Sequence, residues 1–497
     1  MTAPAMPTSA TEEGPVVKLR TGQLRGSRQL GVVSFKRVPY AANPFTAQTR
    51  FRAPQPVTAW TGIRDATEFG RPPPQPGRDT PPTLCGGPDD LTLNIWTPDR
   101  EAKGLPVMVW LPGGAFIRAD ADEAAYDGTR FAAAGIVLVT VNYRVGVDGF
   151  MAIEDAPANR GILDQIAALE WVRDNLAAFG GDPANVTLSG QSAGAESVAI
   201  LLASPRTEGL FQRAILQSPP MQAVTTQDAT RLATALARTL GIRPTIAALS
   251  GVSFEALTNA AVALNTTIKD RATWGRLSLG GTAFLPIIDD ALLEVSPLGM
   301  LARSPKPGVP VIVGSTDQEA RLYTVPNGDI DRFKQAEIDQ LVVDLQLPAG
   351  AIDLYRQNDG NRTIGDLYSA LQSDYTFRIP ALRIAEQRSR AGSVWHYNFA
   401  WKSPAYGGRL GAAHFVDVPF CFGMLASDQA RIFIGDDPPA TLADAMHKAW
   451  VAFARTGDPG WPAYDLIERA TMRFDTRSGI VKDPEKVARI LWHDVSL

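Results

Sequence analysis

Residues 186–194 read Val186-Thr187-Leu188-Ser189-Gly190-Gln191-Ser192-Ala193-Gly194. A short apolar run ends in G-x-S-x-G, and an apolar helical stretch follows. A strand feeding a helix through so tight a turn needs small residues beside the serine, because a bulky side chain clashes there. The turn lifts the Ser192 hydroxyl above the sheet edge. It also points the positive end of the following helix, and the Ala193 N–H, at any oxyanion formed there.

Outward from this turn, the chain alternates strands and helices. Leu91–Trp96, Val107–Leu111, Ile136–Asn142 and Val186–Ser189 are nearly continuous apolar runs of strand length, the pattern of strands buried on both faces of a mainly parallel sheet. Val309–Val313 and Ser393–Phe399 read the same way, and Val16–Arg25 and Val32–Phe35 read as short early strands. Gly161–Phe179 carries Ile162, Ile166, Leu169, Val172 and Leu176 on one helical face, and Gly180 and Pro183 stop it. Further helices are expected at Thr226–Leu240 and Leu442–Arg455. Seven prolines in Arg71–Pro88 predict a loop without regular structure. The alternation predicts an α/β layer fold formed by one domain over 1–497, with cap-like helical insertions at about 221–306 and 323–391 and a flexible segment at 1–15.

The 497 residues are 45% hydrophobic and 20% charged, ample for a large core. A net charge of −4 gives no electrostatic case for nucleic acid. The longest apolar run, near Gly135–Val141, is far short of a membrane span, so no membrane partner is expected. Met1–Val16 lacks the basic start and apolar stretch of a secretory signal. Cys85 and Cys421 cannot form a disulfide framework, and a cytoplasmic protein is expected. No H-E-x-x-H, Walker loop or dinucleotide fingerprint occurs, so neither metal nor organic cofactor is expected.

Phe179-Gly180-Gly181-Asp182-Pro183-Ala184-Asn185, running through Val186 into Gly190–Gly194, resembles the serine signature of the type-B carboxylesterase family, which includes cholinesterases. Phe35-Lys36-Arg37-Val38-Pro39-Tyr40-Ala41, Val141-Asn142-Tyr143-Arg144-Val145-Gly146, Leu163-Asp164-Gln165 and Trp171 stand where that family has matching blocks. The resemblance covers nearly the whole chain and implies an α/β-hydrolase fold, a large mostly parallel sheet with helices on both faces.

It also implies a catalytic set. His414, in Gly411-Ala412-Ala413-His414, matches the base, while His396, His447 and His493 read as structural or solvated. The acid should lie between serine and histidine in sequence. Gly314-Ser315-Thr316-Asp317-Gln318-Glu319-Ala320 is similar to the family's G-x-x-x-D-E-G segment, so Glu319 matches the acid and Asp317 is the rival. Pro112-Gly113-Gly114-Ala115-Phe116 resembles the H-G-G-G-F turn, which makes Gly114 and Ala115 oxyanion donors beside Ala193. Ser218 and Asp417 match the family's supporting residues, and Arg118 and Met221 are expected as substrate contacts.

Several positions depart from the family. The E-D-C-L block reads Pro88-Asp89-Asp90-Leu91, and its partner cysteine position looks like Pro74, so both halves of that disulfide are absent. The glutamate that would pair with Arg50 is lost at Pro88. No aromatic residue lies in the loop from Pro74 to Pro88, which removes one source of attraction for a quaternary ammonium. The resemblance therefore implies hydrolysis of small to medium, neutral or aromatic esters through an acyl-enzyme. Aryl carbamate or activated amide hydrolysis, an interfacial lipase and a non-catalytic scaffold or adhesion protein are the alternatives. The oligomeric state is not legible.

Overall fold

The computed structural model describes residues 14–79, 81–303, 308–359 and 363–497; residues 1–13 of the expected flexible segment lie outside them. Among the described residues an eleven-stranded sheet forms the frame. Its strands are β1 Ser27–Gln29, β2 Val32–Ala41, β3 Leu91–Thr97, β4 Leu105–Leu111, β5 Val137–Val141, β6 Gly181–Gln191, β7 Arg213–Gln217, β8 Val311–Thr316, β9 Val394–Phe399, β10 Ala470–Phe474 and β11 Gly479–Lys482. They lie in the order β1-β2-β3-β5-β4-β6-β7-β8-β9-β10-β11. From β5 to β10 every neighbouring pair is parallel, and both margins turn antiparallel.

The continuous apolar runs follow from a sheet covered on both faces. Along β4, Val107, Val109 and Leu111 enter one apolar cluster, while Met108 and Trp110 enter the cluster on the other side. Successive strand side chains point to opposite faces, so both sets must be apolar when helices cover each.

Helix α1, Arg160–Asn175, lays Ile162, Ile166, Leu169 and Val172 into the first cluster. Its expected last turn is a separate 3-10 turn, Leu176–Phe179, closed by Gly180 at φ 86°. The motif residues Arg144 and Asp164 meet here as a fully buried pair, Arg144 Nε and Nη2 donating to the two carboxyl oxygens at 2.8 and 2.7 Å. Gln165 Nε2 reaches Ser197 Oγ at 3.1 Å and ties α1 to helix α2, Ala193–Ala203.

Two expectations need correction. Val16–Arg25 is two antiparallel strands, Val16–Lys18 and Gln23–Arg25, because the chain reverses between Leu19 and Gly22. The proline-rich segment carries a short ladder, Gln75–Pro76 against Leu84–Cys85, in which the loop closes on itself. Arg50 lacks its family partner at Pro88 but bonds Asp148 Oδ1 at 3.3 Å and the Val252 carbonyl at 2.9 Å. Helix α3, Thr226–Thr239, and helix α4, Ala440–Thr456, run within a residue or two of their expected bounds. Helices Phe254–Thr267 and Ile379–Arg388 add apolar side chains to the first cluster.

Candidate active site

Strand β6 ends at Gln191, and Ser192 turns the chain into α2 at φ 59°, ψ −128°. Such a backbone is strained for a residue with a Cβ and persists where the surroundings fix it. The fixing contacts are close. A Cβ at Gly190 would lie 2.6 Å from the Gly194 carbonyl, and one at Gly194 would lie 2.0 Å from the Leu111 carbonyl oxygen. Ser192 N–H donates to Gln217 O at 2.9 Å, anchoring the corner to β7. No hydrogen-bond partner meets Ser192 Oγ among the described residues.

The turn after β4 packs against this corner. A Cβ at Gly113 would stand 3.0 Å from Ser192 Cβ. Gly114 at φ 127°, Ala115 at 55° and Phe116 at 57° fold the turn back so that Ile117 and Arg118 N–H both bond Gly114 O at 3.1 Å. Tyr143 donates to Pro112 O at 2.6 Å and Gly146 N–H to Phe116 O at 2.7 Å, pinning both ends. Among the described residues the N–H groups of Gly114, Ala115 and Ala193 donate to no protein acceptor. Alanine at position 115 keeps the donor.

Glu319 and His414 come from loops after β8 and β9, both buried. The two loops are joined by backbone bonds, Gln318 N–H to Ala412 O at 2.8 Å and His414 N–H to Glu319 O at 3.1 Å. His414 Nδ1 lies 2.5 Å from Glu319 Oε2. The other oxygen, Oε1, accepts from Ser218 Oγ at 2.6 Å and Thr316 N at 2.7 Å. Asp317 turns away to Asn398 Nδ2 at 2.7 Å and Arg473 Nη2 at 3.3 Å. Gln318 Oε1 accepts from Ala412 N at 3.1 Å over Gly411, whose φ is 63° and where a Cβ would meet that oxygen at 2.0 Å. Ala320, standing for the family glycine, has φ −69° and needs no glycine.

No hydrogen bond joins Asp417 to His414. Its Oδ2 accepts from Gln217 Nε2 at 2.9 Å and Tyr397 Oη at 3.1 Å. Burial and the nearby Glu319 push its carboxyl up to about 6. Gln217 thus links Asp417 to the Ser192 corner. Of the other histidines, His396 faces Thr471 Oγ1 at 3.2 Å, burial pushing its imidazole down to about 3. His447 bonds Cys421 O at 2.9 Å, and exposed His493 faces Asp494.

Two aromatic rings flank the imidazole. Phe377 lies 4.4 Å from it between centroids and Tyr323 5.8 Å. Phe377 sits in the π-helical turn Asp374–Arg378, a bulge that sequence periodicity does not reveal. Met221 lines a cavity of about 500 Å³ with Gln222, Trp274, Leu277, Leu285 and Tyr375. The Arg118 stem packs over Gly114. Its guanidinium, made less basic by burial and by Arg78, meets no hydrogen-bond or ion-pair partner among the described residues. Asp122, four residues further on, is pushed up to about 7 by burial although Asn94 donates to it.

A serine on a strained strand-to-helix corner, and a carboxylate-bound imidazole whose Nε2 meets the side chain of the residue before that serine, are the parts of a serine hydrolase of the α/β-hydrolase class. The Carboxylesterase family model matches residues 13–486. The para-nitrobenzyl esterase of Bacillus subtilis (strain 168) is 35% identical over 496 residues, covering 95% of this chain and 97% of its own. Phenmedipham hydrolase of Pseudarthrobacter oxydans is 35% identical over 480 residues, covering 92% and 94%. A crystal structure of a Geobacillus stearothermophilus carboxylesterase superposes with a TM-score of 0.86 at 34% identity, covering 96% of this chain and 99% of that one. The chain belongs to the carboxylesterase family, and it is an ester-hydrolysing enzyme with the α/β-hydrolase fold. Among the described residues no helix is long and apolar enough to cross a membrane.

Proposed function

We propose that the enzyme cleaves small to medium, neutral or aromatic carboxylic esters through an acyl-enzyme on Ser192, with His414 as base and Glu319 as its orienting acid. The observation that carries this is the buried His414 Nδ1–Glu319 Oε2 contact at 2.5 Å, on a carboxylate held by two further donors. A carboxylate oxygen facing Nδ1 accepts the ring proton there, which leaves the lone pair of the uncharged ring on Nε2.

In the reaction Ser192 Oγ attacks the ester carbonyl carbon while Nε2 takes the hydroxyl proton. The carbonyl oxygen becomes an oxyanion, and the N–H groups of Gly114, Ala115 and Ala193 receive it. The tetrahedral adduct collapses as Nε2–H protonates the alkoxy oxygen, the C–O bond breaks and the alcohol leaves. Water repeats the steps on the acyl-enzyme and frees the acid. Removing one such donor costs about 3 kcal/mol of transition-state stabilisation. The rings of Phe377 and Tyr323 beside the imidazole support an aromatic leaving group.

Arg118, with a free guanidinium, and Met221, on the cavity wall, are the proposed substrate contacts. Segments 221–306 and 323–391 are the proposed cap over one catalytic domain. The free thiols of exposed Cys85 and buried Cys421 suit a cytoplasmic setting. Aryl carbamate hydrolysis by the same residues is the second reading, favoured by the likeness to phenmedipham hydrolase.

Fluorophosphonate labelling with peptide mapping tests the nucleophile, and matched aryl esters and carbamates test the substrate. The label is expected on Ser192, and Ser192→Ala is expected to lose at least about 10⁴-fold in kcat. Undiminished turnover in Ser192→Ala overturns the reading.

A further inference from the structure

Gln191 occupies the variable place of the turn motif, and its side chain is buried. Its Nε2 lies 2.9 Å from His414 Nε2, the nitrogen that Ser192 needs. Because Nδ1 carries the ring proton toward Glu319, Nε2 of the uncharged ring is an acceptor and the Gln191 amide N–H is the donor. Gln191 Oε1 points the other way, lying 2.8 Å from where a Cβ on Gly113 would stand.

We propose that Gln191 is a positioning residue that holds His414 uncharged in the free enzyme, and so extends ester hydrolysis to lower pH than the imidazole–carboxylate pair alone would allow. This rests on the reading of Ser192, His414 and Glu319 given above. An N–H donated to Nε2 stabilises only the ring that has a lone pair there. A proton arriving on Nε2 sets N–H against N–H and loses that bond. The carboxyl groups around the ring act in the opposite sense: Glu319 on Nδ1, and Asp417 on the following helix. Tyr323 from the acid loop and Tyr397 from β9, the latter bonded to Asp417, are the other titratable groups packed there. For catalysis the carboxamide swings aside about its own torsions so that Oγ reaches Nε2. The Glu319 contact stays in place.

The test compares wild type with Gln191→Met, of similar length without a donor, and Gln191→Glu, which sets a carboxylate at Nε2. The pH profile of kcat/KM for an aryl ester and the pH dependence of fluorophosphonate inactivation are both read. The acid limb is expected to move up by about 0.5–1 unit in Gln191→Met. It should move further, by about one unit or more, in Gln191→Glu. A Gln191→Met limb superimposed on wild type, or moved down, overturns the proposal. Should Gln191→Met fail to fold, Gln191→Asn, whose amide is withdrawn by one methylene, makes the same comparison. If Ser192→Ala is inactive and the limbs coincide, this inference alone fails. If Ser192→Ala stays active, the reading beneath it falls as well.

Discussion

Ser218 and His414 hold opposite oxygens of one carboxylate: Ser218 Oγ donates to Glu319 Oε1 at 2.6 Å, while Nδ1 faces Oε2. Ser218 itself sits at φ 54° directly after β7, where its N–H bonds Gly314 O at 2.8 Å. Ser218→Ala removes one of three donors to a buried anion. We expect kcat/KM to fall about tenfold, since a bond to a charged group contributes about 1.5–3 kcal/mol and the Thr316 N–H remains. Steady-state kinetics on an aryl ester check this.

Glu319 and Asp317 are two residues apart and face different partners. Glu319→Gln leaves the shape but removes the charge that supports an imidazolium, and kcat should drop about 10³–10⁴-fold. Asp317→Asn should keep kcat within about threefold and lower Tm, because its loss falls on the half-buried Arg473 and Asn398 contacts. Equal kinetic losses in the two variants would reverse the assignment of the acid.

Asp164→Ala strands the Arg144 guanidinium in a site where both side chains are fully buried. The expected loss is about 3–5 kcal/mol, read by urea denaturation. Replacing both partners by apolar residues of similar volume should recover most of it, since the desolvation cost then disappears with the pair.

Glu196 lies one turn into α2, fully buried, and neither carboxyl oxygen meets a hydrogen-bond partner among the described residues. Burial raises its carboxyl well above the usual range, and the approach of the Gln222 backbone N–H, short of hydrogen-bond geometry, offsets this only in part. The folded state therefore keeps the proton at pH values where the unfolded chain, titrating near about 4.3, has released it. Stability from this group is full below that value and declines as pH rises toward the folded value, by about 1.4 kcal/mol per unit. Glu196→Met should raise Tm, and by more at pH 8 than at pH 5. Differential scanning calorimetry at the two pH values reads the difference; an equal gain at both would contradict the titration.

The strands buried on both faces were legible where β4 is apolar throughout and β5 is broken only by Thr140, because a sheet covered twice demands apolar residues on both sides. β7 and β10 were not, since Arg213 and Gln217 bracket three apolar residues and Arg473 interrupts β10. The corner at Ser192 was legible because glycines at 190 and 194 are required by contact with neighbouring backbone. Glu319 was chosen over Asp317 by its place in the family segment; residue type alone could not separate them, because the choice depends on which way two side chains leave one turn. The same is true of Gln191: its place in the motif says nothing about direction, and its amide reaches His414 only because the chain turns at Ser192. Arg144 and Asp164 stood out as motif residues twenty positions apart, yet only the folded chain makes them one ion pair.

The backbone bonds joining Gln318 to Ala412 and Glu319 to His414 tie the two loops into a single plate. Thermal excursions of that plate carry the imidazole and the carboxylate together, so their mutual alignment survives motion that would misalign either alone. What varies is the gap between the plate and the serine corner, and changes in the surrounding helices will register there as altered turnover rather than as a broken pair.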